Sequence, residues 1–131
     1  MNDADWAQLE RGLRDKKSVD RFVAATQRMS TETTLEDLPR LMRLLGDGDH
    51  LVREAAASPI VKLRGPSALP ELLVAYQRGL DEGYDNDGFT NALIELAEAD
   101  KEAARSVLTA LRSTGDASLE KNAEWLLEFV E

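Results

Sequence analysis

The chain has 131 residues, no cysteine and a formal net charge of −9 at neutral pH. That length is enough for one domain with a sizeable core, and the missing cysteine excludes a disulfide framework, a thiol nucleophile and a thiolate metal site. With 43% hydrophobic and 31% charged residues, the composition is that of a folded chain rather than a disordered one.

The acidic excess is localised. Residues 1–64 carry 11 basic and 11 acidic side chains, whereas residues 65–131 carry 5 basic and 14 acidic ones. From Gly79 to Asp100 there is no Lys or Arg against Asp81, Glu82, Asp85, Asp87, Glu95, Glu98 and Asp100. Such a field disfavours nucleic acid, whose phosphates need the opposite sign, and it disfavours an anionic membrane surface. It favours a protein partner with a basic surface, through electrostatic steering. No apolar run approaches the roughly 18 residues of a membrane span. The acidic opening Met1-Asn2-Asp3-Ala4-Asp5-Trp6 lacks the basic-then-apolar order of a signal peptide. A cytoplasmic protein is expected.

Apolar residues recur at intervals of three and four, and the sustained alternation of strands is missing, so the expected class is all-α. Eight helices are predicted. The first, 4–14, has the stripe Trp6, Leu9, Leu13; the second, 18–29, offers Val19 and Val23. The third, 36–46, carries Leu38, Leu41, Met42 and Leu45. The fourth, 50–64, carries Val52, Ala56, Pro59, Ile60 and Leu63, with Pro59 expected to bend it. The fifth, 67–80, has Leu69, Leu72, Leu73 and Tyr76; the sixth, 87–99, has Phe89, Leu93, Leu96 and Ala97. The seventh, 101–113, has Ala103, Val107, Leu108 and Leu111. The eighth, 117–130, has Leu119, Ala123, Leu126, Leu127 and Val130. Ser18, Asp49, Asn86 and Ser118 stand where N-caps are expected, and Gly46, Gly65 and Gly115 where a helix stops in a left-handed conformation.

These helices pair as four hairpins, about 4–30, 35–64, 66–99 and 101–131. Val19, Val52, Phe89 and Leu119 open the second helices at spacings of 33, 37 and 30 residues. Two-helix units of this length cannot bury a face alone and must stack. An α-solenoid, one domain over 1–131, is therefore expected. The stretch from Leu38 to Ala56 resembles a HEAT repeat: Pro39 in the first helix, Asp47 in the turn, and Val52-Arg53 opening the second helix. The resemblance implies that Asp47 and Arg53 are structural, bridging within and between repeats. Asp15 and Arg21 have the same separation and copy the pattern. The third hairpin repeats Leu69-Pro70 but has Thr90 in place of the arginine, and the fourth has Glu120.

Catalytic residues are not expected. His50 is the only histidine; a general base needs a positioned nucleophile nearby, and a surface or capping role explains it. No phosphate loop, nucleophile elbow or metal-spaced histidine pair is present. If Gly88 were the glycine of a calcium loop, Asp85 and Asp87 would fall on ligand positions. Gly83 and Ile94 would then stand where oxygen donors are required, so no metal and no cofactor is expected. The length of this acidic loop points instead to binding.

In HEAT proteins the second helices line the concave surface, and the resemblance gives four rows across the repeats. These are Arg21, Glu54, Asn91, Lys121; Ala24, Ala57, Ile94, Glu124; Ala25, Ser58, Glu95, Trp125; and Arg28, Val61, Glu98, Glu128. The candidate partner-binding residues are Asp85, Asp87, Asn91, Glu95, Glu98 and Trp125. Trp125 lies off the core stripe, with Phe129 one turn later: the two either cap the open end of the last hairpin or supply an aromatic anchor in an acidic rim. The expected function is a non-catalytic protein-binding module whose acidic C-terminal half docks a basic protein. By size and charge it is similar to bacterial immunity or inhibitor proteins, or to an adaptor. The alternatives are a bilin-lyase-like or DNA-glycosylase-like enzyme of the same fold, which needs a ligand pocket or basic groove, and a purely structural repeat module.

Overall fold

The computed structural model describes residues 1–131, all helix and turn with no strand. The chain forms two compact units, Met1–Leu63 and Arg64–Glu131. No helix is long and apolar enough to cross a membrane.

The first unit holds α1 (Asp3–Leu13), α2 (Val19–Glu32), α3 (Leu38–Leu45) and α4 (His50–Arg64), with a 3-10 turn at Leu35–Asp37 leading into α3. Asn2 caps α1 by accepting the Asp5 N–H at 2.8 Å, and Ser18 caps α2 by accepting the Arg21 N–H at 3.2 Å. Each removes one orphan donor of the first turn. Trp6, Leu9 and Leu13 are buried as expected.

The second helix differs from its expectation. Val19 and Val23 are 78% and 44% exposed, and Ala25 and Met29 are buried instead. The sequence of α2 has two apolar sides, and Gly12 of α1 selects between them. A methyl group at Gly12 would meet the Ala25 Cβ at 2.9 Å, so the helices approach closely at this point and turn the Ala25–Met29 side inward.

In α4 the Asp49 carboxylate accepts the Leu51 N–H at 2.9 Å, as an N-cap should. Pro59 lies buried inside the helix, which runs on to Arg64. His50, expected at the surface or as a cap, is buried, with Nε2 3.4 Å from Glu54 Oε2. It shares the inward side of α4 with Arg53 three residues on, which is also buried. Gly46 has φ −95° and is no left-handed stop; the positive-φ glycines are Gly65, Gly83 and Gly115.

The second unit begins with a 3-10 turn, Gly65–Ala68, followed by α5 (Leu69–Asp81), α6 (Asp87–Ala99), α7 (Lys101–Leu111) and α8 (Ala117–Leu127). α5 packs against α6, α7 and α8. Leu69, Leu72, Leu73, Phe89, Leu93, Leu108, Ala123 and Leu126 form the core, each 1% exposed or less. The N-cap of α8 is Asp116, which accepts the Leu119 N–H at 3.0 Å. The expected cap, Ser118, lies within the first turn, because the extended residue that precedes the helix is Asp116.

Candidate functional site

The acidic loop after α5 is built by a helix stop. Gly83, with φ 82°, lets the Tyr84 N–H reach Gly79 O and the Gly83 N–H reach Leu80 O, both at 3.0 Å. This pairing consumes two orphan carbonyls of α5 in a Schellman motif. Asn86 follows in the N-cap position of α6, but its side chain does not cap. Its Nδ2 donates to Tyr76 O at 2.6 Å, and the amide packs against Gly79. The loop is thus tied back to α5 at both ends.

From this anchored start α6 buries Phe89, Leu93, Leu96 and Ala97 and exposes Asp87, Asn91, Glu95 and Glu98. Those four recur at intervals of four, four and three, one stripe along the helix. Asp85 extends the stripe into the loop, accepting the Asp87 N–H at 3.1 Å. The Asp85 carboxylate beside it, through a shared hydrogen bond and like charge, holds the Asp87 carboxyl above the usual carboxylate range. Lys and Arg are missing from 79–100, and none of Asp85, Asp87, Glu95 and Glu98 is in an ion pair. The first unit is built otherwise. There Asp15 pairs with Arg21, Asp47 with Arg14, Asp49 with Lys16 and Asp3 with Arg40.

Trp125 has a different setting. Half-buried on α8, its ring stacks parallel on Tyr76 of α5, centroids 5.4 Å apart and planes 2° apart. Phe129 meets it edge-on at 5.7 Å. One turn earlier, the Asn122 amide donates to Gln77 Oε1 at 2.9 Å. The structure therefore joins Asp85, Asp87, Asn91, Glu95 and Glu98 in one stripe, and sets Trp125 in an aromatic cluster between α5 and α8. Sequence reasoning missed Tyr76 as its partner, since nothing local to Trp125 points to a ring so far along the chain.

Asp47 and Arg53 also meet in an unexpected way. Arg53, fully buried, donates from Nη1 to the main-chain oxygen of Asp47 at 2.9 Å. The Asp47 carboxylate instead takes Arg14 at 2.8 and 3.2 Å and the Asp49 N–H at 2.9 Å. The Arg14 hydrogen bond is the largest influence on Asp47 and, against the opposing effect of burial, holds its pKa below the usual carboxylate range.

The concavity between α1 and α2 is lined by Arg11, Arg21 and Arg28 around Leu9, Ala24 and Ala25. Arg21 is paired with Asp15, and Arg28 with Glu32 and Asp5, so most of its positive charge is neutralised in place. No protein-family model, no curated protein and no solved structure matches the chain.

Proposed function

We propose that this chain is a non-catalytic protein-binding module of HEAT-like helical hairpins, whose acidic second unit docks a basic protein surface. The exposed stripe of Asp85, Asp87, Asn91, Glu95 and Glu98, without a cation to neutralise it, carries this reading. Carboxylates fixed on a packed helix keep their geometry and concentrate a negative potential, which speeds encounter with a partner of opposite sign. Two ion pairs, Arg14 with Asp47 and Lys16 with Asp49, span the same separation of 33 residues. That separation is the offset of the first two hairpins, and it supports the repeat reading alongside the motif from Leu38 to Ala56. An immunity, inhibitor or adaptor role fits a small acidic chain of this kind.

The test is charge reversal. Glu95→Lys with Glu98→Lys reverses only solvated charges, so the thermal midpoint should shift by no more than about 3–6 °C, as expected for exposed charges worth ~0–1 kcal/mol. A partner captured with the parent chain should associate with the variant several-fold more slowly at low salt, and the gap should narrow as salt rises. An unchanged association rate at low salt would refute the reading.

A further inference from the structure

Within the second unit, α5 and the start of α8 enclose a concavity of about 290 Å³. Leu73, Val74 and Leu119 supply its apolar lining, and Gln77, Asp81 and Asp116 line it with polar groups. Arg78, also in the lining, is paired with Glu82 at 3.2 Å. The wall is held in place, because the Gln77 amide donates to Asp81 Oδ1 at 2.8 Å while its carbonyl accepts from Asn122. Asp116 is held in turn by capping Leu119. Beside the fully buried Leu73, Val74 is 57% exposed. Val74, with the half-buried Leu119, thus leaves apolar surface in water in a concavity that two positioned carboxylates also line.

The size and charge select the occupant. The volume, about 290 Å³, falls just below the ~300–1,000 Å³ typical of small-molecule sites, and it has room for an inserted side chain. Residues 64–131 carry 14 acidic against 6 basic side chains, which repels an acidic segment or a second copy of this chain. We propose that the groove takes an aliphatic side chain from a basic peptide segment of the partner, with flanking lysines or arginines against Asp81 and Asp116. This rests on the docking reading above and adds to it an apolar anchor point away from the α6 stripe.

The experiment titrates the 131-residue chain, observed by backbone amide NMR at low salt, with three synthetic peptides. One is lysine-rich with central leucines, one has those leucines replaced by serine, and one has glutamate in place of lysine. The expected result is at least fivefold tighter binding of the leucine–lysine peptide than of the serine–lysine peptide, with shifts centred on Val74, Gln77 and Leu119. Val74→Ser, at an exposed position, should bring that ratio near one, and Asp81→Asn should weaken the leucine–lysine peptide in a salt-dependent way. Equal binding of both lysine peptides with shifts confined to α6 overturns the groove and leaves the acidic docking face standing. If neither lysine peptide binds better than the glutamate peptide, both readings fall.

Discussion

Gly79→Ala distinguishes a packed position from an ordinary helical one. In an exposed helix interior, replacing Gly by Ala stabilises by up to about 1 kcal/mol. At Gly79, however, the new methyl would stand 2.3 Å from Asn86 Oδ1 and 3.0 Å from its Cγ and Nδ2. Carbon contacts are comfortable at ~3.5–4.0 Å, so Asn86 must move by about an ångström. The side chain is short, 5% exposed and bonded to Tyr76 O, so it cannot move that far and keep its bond. Losing that bond in a buried setting costs about 1–3 kcal/mol, and overpacking costs about 1–3 kcal/mol more. After subtracting the helical gain, Gly79→Ala should destabilise by roughly 1–5 kcal/mol, lowering the midpoint by about 3–6 °C per kcal/mol. The assay is urea and thermal unfolding of the parent, Gly79→Ala, Asn86→Ala and the double variant. In the double variant the clash is gone, so the cycle should show a coupling above about 1 kcal/mol. A neutral or stabilised Gly79→Ala would refute the anchoring of the acidic loop to α5.

Gly12→Ala should also destabilise, by about 1–3 kcal/mol, because its methyl would meet the Ala25 Cβ at 2.9 Å and Arg21 O at 3.3 Å; a urea midpoint at or above the parent's would mean that α1 and α2 do not touch there. Asp47 has a folded pKa below its unfolded value of about 3.9. Its stabilising contribution is therefore present above about pH 4 and lost as pH falls through the folded value. Asp47→Asn should lower the urea midpoint at pH 7 more than at pH 3, and Asp47 should couple to Arg14 more strongly than to Arg53 in double-mutant cycles; the opposite order would show that Arg14 is merely nearby. Trp125→Ala removes the ring stacked on Tyr76 and should cost about 1–3 kcal/mol, less than the ~3–5 of a fully buried tryptophan. A circular-dichroism melt unchanged from the parent, with faster partner dissociation, would identify the ring as a binding anchor instead.

The sequence by itself determined the helical class, the inward side of most helices and the location of the acidic excess. Each follows from local properties: a period of three and four, capping residues such as Ser18 and Asp49, and a stretch from Gly79 to Asp100 without a cation. The exposed stripe of Asp87, Asn91, Glu95 and Glu98 was legible for the same reason, since the opposite side of α6 is apolar throughout. Only the tertiary structure decided which side of α2 is buried, because that depends on where Gly12 meets Ala25. It also decided the partner of Asp47, since nothing near Asp47 in the chain marks Arg14, and the turn of Asn86 away from its cap toward Tyr76. The burial of Arg53 against the Asp47 turn and the stacking of Trp125 on Tyr76 belong to the same group. In every one of these cases the deciding contact joins side chains to groups on another helix or turn, and a period read along one helix carries no information about its neighbour.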